Sequence, residues 1–175
     1  MRLAIALCAL MALPAAAREV TPDDRAAVAA LIADFEEALE IGDFPGLIGF
    51  IPPQMISTIA GGAGIPEEDL LEIMIAGMAE AMEAVTFESF GMALDAATEG
   101  ETAAGRPYMM IPTTSVMQIE EMGRVTATST TLALQDGDRW LIARIDNDQQ
   151  LDVLRRTFPD FEGIAFPAGT MEVGE

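Results

Sequence analysis

Apolar residues recur at helical spacing after position 21 and predict a helix in the first part of the chain. Thr21 is a good capping residue, Pro22 suits the first helical position, and Gly42 ends the segment. The apolar positions of this helix are Val28, Leu31, Ile32, Phe35 and Leu39.

Three further segments complete the N-terminal half. A short helix starts at Asp43 and is stopped by Pro52. The sequence QMISTIAGGAG predicts a helical turn or two followed by a glycine loop, which we interpret as a hinge. A long helix then opens with Pro66 and three acidic residues and runs to about Ala84, with a wide apolar face.

From Val85 the pattern changes from helical spacing to alternation, which indicates strands. We predict strands at residues 85–96, 107–120, 124–135 and 138–146, with a loop at 97–106. A final helix starts near Asp148 and stops before Pro159. The fold class is therefore α+β: N-terminal helices packed on an antiparallel β-meander, with an extra C-terminal helix.

Two glycine turns determine how the last three strands pair. The sequence EMG fits a three-residue loop with Gly123 in the left-handed position, and Asp136-Gly137 fits a two-residue type I′ turn. In this register Thr114 faces Thr130, which places a belt of hydroxyl groups across the middle of the sheet.

Both faces of the predicted sheet are apolar. One carries Met110, Leu132, Leu134, Leu141, Ala143 and Ile145, and the other carries Met109, Ile111, Met117, Ile119, Val125, Ala133, Trp140 and Ile142. Since a solvated antiparallel sheet alternates apolar and polar positions, we expect helices on one face and the C-terminal tail, a second subunit, or both on the other. A homodimer through the sheet is our hypothesis. Pro112, inside a strand, predicts a bulge or bend.

The first residues have the pattern of a secretory signal. Arg2 precedes an apolar run at residues 3–13, and small residues follow up to Ala17. We predict a signal peptide at residues 1–17, a single domain at 18–160 and an irregular tail at 161–175. The protein is then periplasmic or secreted. The apolar run is too short to span a bilayer, so no membrane insertion is expected after cleavage.

The charge balance excludes several partners. The chain has 175 residues, 29 of them acidic and nine basic, with no histidine and a net charge of −20. This balance argues against binding nucleic acid, because phosphates require cationic surfaces. The lone Cys8 lies in the signal, so the mature chain has no disulfide.

The sequence also gives little support for a metal site or for an activated nucleophile. Counted from Asp146, positions five and six of a calcium loop hold Gln150 and Leu151, so the acidic stretch at residues 135–151 fails the required spacing. We interpret its Asp136 as a turn residue and its Asp148 or Asp146 as a helix cap. The methionine stripe on the long helix is typical of a flexible core. No catalytic residue, metal or cofactor is predicted.

The order of helices followed by a meander that ends on DGDRWLIARID resembles the nuclear transport factor 2-like superfamily, which includes ketosteroid isomerases and polyketide cyclases. The resemblance covers roughly residues 21–146. It implies a cone, in which a curved sheet wraps around the helices, often with a pocket at its open end and often dimeric. Superfamily enzymes commonly use a pocket carboxylate, for which Asp95 or Asp146 would be available here.

We therefore predict a secreted, non-enzymatic domain that binds a small apolar ligand or a protein partner. The alternatives are a cofactor-free isomerase, cyclase or hydratase with a pocket carboxylate, and a structural dimeric subunit of an envelope complex. The candidate pocket residues are Tyr108, Thr114, Thr130, Trp140 and Arg144. Arg144 is the strongest candidate for a ligand contact, with an ion pair to Asp146 as the alternative interpretation.

Overall fold

The computed structural model describes residues 19–120 and 122–174, and the predicted signal peptide lies outside them. Helices followed by an antiparallel sheet confirm the α+β class. The helices are α1 (Pro22–Ile41), α2 (Phe44–Ile48), α3 (Pro53–Ala63), α4 (Glu67–Glu83) and α5 (Asp148–Thr157). The strands are β1 (Val85–Met92), β2 (Thr98–Glu101), β3 (Pro107–Ile119), β4 (Gly123–Asp136), β5 (Arg139–Ile145) and β6 (Thr170–Val173).

Helix α1 has the ends that its sequence predicts. Thr21 and Asp24 form a capping box: the Thr21 hydroxyl accepts from the Asp24 amide at 3.1 Å, and the Asp24 carboxylate accepts from the Thr21 amide at 3.0 Å. Gly42 ends the helix in the left-handed conformation at φ 70°. The helix buries Val28 and Ile32 against the sheet.

The predicted glycine hinge is wrong. Gly61 and Gly62 lie inside α3, which continues to Ala63 and ends at Gly64 with φ 69°. Each helical glycine costs about 1 kcal/mol relative to alanine, but the preceding turns of α3 bury Met55 and Ile56, and this packing carries the helix through the glycines.

The two long strands β3 and β4 form the centre of a six-stranded sheet. β1 and β2 pair with successive parts of β3, and β5 and β6 pair with successive parts of β4. Two expectations are corrected here, because the predicted loop at 97–106 contains β2 and the tail predicted to be irregular contains β6. Neither strand has an apolar alternation long enough to indicate it; both form by backbone pairing with a long neighbour.

Both hairpin registers differ from the predicted ones. Thr114 pairs with Thr128 and Thr130 pairs with Pro112, a shift of two residues that keeps each side chain on its predicted face. Gly123 is left-handed as predicted, at φ 76°. The second turn consists of Gly137 and Asp138, one residue later than predicted. Gly137 has φ 61° and no non-glycine residue of the described chain has a positive φ, which is the pattern of a type II′ turn.

Pro112 causes no bulge. The pairing of β3 with β4 runs through Pro112 without a shift, and its carbonyl accepts from the Ala93 amide at 2.8 Å. Pro112 lies where the neighbouring edge changes from β1 to β2, so its missing N–H costs no ladder bond. The irregularity lies instead in β1, between Phe87 and Ser89.

Both faces of the sheet are apolar, as predicted, and each is covered by helix. The α1 face buries Met109, Ile111, Ala133, Trp140 and Ile142. The opposite face, which we call the α5 face, buries Tyr108, Leu132, Leu134, Ala143 and Ile145 beneath Met55 of α3, Val153 and Leu154 of α5, Phe158 and Phe161. Ile164 and Phe166 of the C-terminal tail pack on the same cluster. The α5 face therefore needs no second subunit to cover it, and the homodimer stays a prediction.

Candidate ligand-binding cleft

A cleft of about 410 Å³ opens beside the α5 face, between α3, one residue of α4, the end of β5 and the start of α5. Its apolar lining is Ile51, Met55, Ile56, Ile59, Met74, Ala143 and Val153. These side chains come from segments that lie far apart in the sequence, so only the folded chain brings them together.

Helices α3 and α5 form two walls of the cleft. Met55 and Ile59 are one helical turn apart on α3, so they share a face, and Val153 lies on the facing helix. A hydrogen bond from the Thr157 hydroxyl to the Thr58 hydroxyl at 2.9 Å joins the two helices. Ala143 of β5 contributes only a methyl group between them, which leaves room for a ligand.

The polar end of the cleft is built by the start of α5. Asn147 caps this helix by accepting from the Gln150 amide at 3.0 Å, so the predicted cap at Asp148 or Asp146 is wrong by one residue. The Gln150 side-chain oxygen accepts from the Asp146 amide at 2.6 Å. With Gln149 and Arg144, these amides form the polar lining.

Arg144 is the one predicted pocket residue that lines this cleft. Its guanidinium pairs with the Asp146 carboxylate, as the alternative interpretation predicted, yet about half of its side chain stays exposed. An exposed pair of this kind contributes little to stability, about 0–1 kcal/mol. Arg144 is therefore available to a ligand at small cost to the fold.

Trp140 and Tyr108 lie elsewhere and serve the core. The Trp140 indole N–H donates to the Asp24 carboxylate at 3.3 Å on the α1 face. Tyr108 lies on the α5 face, with its ring centroid 5.5 Å from that of Phe161, and burial raises the pKa of its phenol. The ring lies so close to Gly100 that a Cβ there would be 2.4 Å from the Tyr108 hydroxyl oxygen.

The two threonines are not brought to the cleft either. Thr114 is exposed on β3, and Thr130 is buried on β4 between Pro112 and Ile145. Hydroxyl pairs do occur across the strands, but between Thr113 and Thr131 at 2.8 Å and between Thr128 and Thr170 at 2.6 Å. These bonds connect the strands and form no pocket with the other candidates.

A cluster around Arg106 was not predicted from the sequence. Arg106 Nε pairs with Asp160 at 3.0 Å, its Nη1 donates to the Gln135 carbonyl at 2.7 Å, and its guanidinium lies 4.6 Å from the Phe158 ring centre. The Thr102 hydroxyl donates to the same Asp160 oxygen at 2.7 Å. These residues are distant in the sequence and match no motif, so no local signal indicates them.

The Arg106 cluster links segments that lie far apart in the sequence. Burial opposes ionisation of Asp160, but the hydrogen bonds from Thr102 and Arg106 and the charge of Arg106 outweigh it, and the pKa of Asp160 is lowered. Asp136, interpreted from the sequence as a turn residue, accepts from Gln54 of α3 at 3.2 Å and lies 3.6 Å from Arg106. The cluster thereby ties the β4–β5 hairpin to α3 and to the segment after α5.

The carboxylates considered as catalytic bases, Asp95 and Asp146, do not line the cleft. Asp95 is exposed in a 3₁₀ turn at Leu94–Ala96, past the end of β1, and Asp146 pairs with Arg144. Within residues 19–120 and 122–174, no three side chains of the Asp, Glu, Cys and His types are arranged to hold a metal ion. None of the helices in that same part of the chain is both long and apolar enough to cross a membrane.

Family models, curated proteins and solved structures contain no match to this chain. The resemblance to the nuclear transport factor 2-like superfamily therefore stays a prediction.

Proposed function

We propose that this protein is a secreted binding domain that holds a small apolar ligand in the cleft between α3 and α5. The observation that carries the proposal is the lining: seven apolar side chains and one polar end enclose about 410 Å³. Pockets for small molecules typically measure roughly 300–1,000 Å³ and combine an apolar lining with a few polar groups, as this one does.

Binding is favoured over catalysis by the same lining. An isomerase or cyclase of the kind considered above needs a carboxylate in its pocket. The residues lining this cleft include no Asp or Glu, and Tyr108 is packed in the core. The export, the cone-shaped family fold and the homodimer are parts of the proposal that rest on the sequence.

A protein partner is the second candidate function, and helix α4 favours it. Leu70 is the one buried residue of this 17-residue helix, and Ile73 is 60% exposed. An exposed apolar side chain on an amphipathic helix is a common element of helix-mediated contacts.

The ligand proposal is tested by filling the cleft. Ile59→Trp adds a large side chain to the lining and leaves less room for a ligand, so binding of the neutral apolar dye Nile red should weaken about tenfold or more, which corresponds to about 1.4 kcal/mol. Dye fluorescence during a titration measures the affinity.

Ile73→Trp is the matched control, because it places the same side chain on the exposed face of α4 outside the cleft. This variant should bind the dye as the unmodified protein does. Two results would contradict the proposal: equal affinity of the unmodified protein and both variants for the dye, or no binding of the dye by the unmodified protein.

A further inference from the structure

The polar end of the cleft presents hydrogen-bond donors. The Asn147 side-chain oxygen is occupied by the Gln150 amide, and the Gln150 side-chain oxygen is occupied by the Asp146 amide. Each of these oxygens already accepts one hydrogen bond, and each NH₂ group keeps its two donors for a ligand. Arg144 has five N–H donors and no acceptor, and its Nε is the atom paired with Asp146.

The charge of the lining is opposite to that of the whole molecule. The chain has 29 acidic residues against nine basic ones, yet the residues lining the cleft include Arg144 and no Asp or Glu. An arrangement of donors around one guanidinium suits a group that only accepts hydrogen bonds and carries negative charge. It disfavours an ammonium group, which has donors only.

We infer that the ligand is a carboxylate amphiphile, an alkyl or aryl carboxylic acid whose apolar part lies on Ile59, Met55 and Val153 and whose carboxylate meets Arg144 and the amide groups of Asn147 and Gln150. This inference rests on the proposed function, because it names the ligand class of the same cleft. The first turn of α5 adds to the attraction, since the positive end of a ten-residue helix faces the same polar end.

The nearest opposing charge is Asp146, which pairs with Arg144 and repels a second carboxylate. The pair is solvent-exposed on the arginine side and leaves the other guanidinium nitrogens for the ligand. Asp148, in the first turn of α5, carries a second opposing charge and reduces the attraction from the helix end.

The test compares three ligands that share a ten-carbon chain and differ in their head group. Decanoate, decanol and decyltrimethylammonium are titrated into the purified protein at pH 7.5, below their micelle concentrations. We expect decanoate to bind about five- to tenfold more tightly than decanol, as a charge-assisted hydrogen bond at a partly exposed site implies, and the cation to bind most weakly.

Two arginine variants assign the preference to the cleft. Arg144→Gln should remove the difference between decanoate and decanol. Arg139→Gln, an exposed arginine on the same strand outside the cleft, should keep the difference.

The outcomes separate the two claims. Equal binding of decanoate and decanol, tightest binding of the cation, or a carboxylate preference that survives Arg144→Gln overturns the head-group inference and leaves the apolar cleft in place. Failure of all three ligands to bind removes the proposed function itself.

Discussion

Two side chains of strand β5, Trp140 and Arg144, have different surroundings although they are only four residues apart. Trp140 is buried and donates to Asp24, the residue that also completes the capping box of α1. This contact fixes the start of α1 to the sheet over 116 residues of sequence. Arg144 is exposed and pairs with a neighbour, so it is the residue of the two that a ligand can reach.

The Arg106 cluster makes stability depend on pH through Asp160. The native pKa of Asp160 lies below its usual value, so its contribution is complete above roughly pH 4 and is lost as the pH falls through the native pKa. Asp160→Asn should therefore lower the free energy of unfolding by about 1 kcal/mol at pH 7, and the difference from the unmodified protein should shrink toward pH 3.

Urea unfolding between pH 7 and pH 3 measures this dependence. Asp34→Asn, at an exposed position of α1, is the control and should change stability little at any pH. A difference for Asp160→Asn that stays constant over the whole range would show that the carboxylate charge does not stabilise the fold.

At the scale of elements, local signals identify the helices well and the short strands poorly. Caps at Thr21 and Asp43 and the alternation after Val85 locate α1, α2 and the long strands from the sequence alone. The end of α3 and strands β2 and β6 depend on contacts with distant residues, which no local window contains. The cleft also depends on contacts between distant residues, because its walls come from α3 and α5.

Substitutions of Gly61 and Gly64 test whether α3 continues through residues 61–63 and ends at Gly64, in place of the predicted hinge. Gly61→Ala should stabilise the protein by about 0.5–1 kcal/mol, because the residue is helical and a Cβ there meets no atom within 4 Å. Gly64→Ala should destabilise it, since φ 69° is unfavourable for alanine. Thermal unfolding of both variants measures the two signs, and a hinge at these residues would give no stabilisation from Gly61→Ala.

At the scale of the molecule, an apolar sheet is enclosed by helices on both sides. The sequence correctly indicates two apolar faces and assigns helices to one of them and the C-terminal tail, a second subunit, or both to the other; Ile164 and Phe166 of the tail do pack on that second face. The amphipathic α5 and the aromatic residues after it, Phe158 and Phe161, cover the second. The cleft remains where this cover ends, beside the start of α5, so the same arrangement that encloses the core also produces the proposed site.

Binding of a small apolar molecule in this cleft can be followed residue by residue with methyl NMR. With methyl-labelled isoleucine and methionine, titration with Nile red should shift and saturate the signals of the cleft residues Ile51, Ile56, Ile59, Met55 and Met74. The exposed Ile41 and Ile73, outside the cleft, should not move. Shifts confined to Ile41 and Ile73, or no saturable shift at the cleft residues, would show that the cleft does not bind the dye.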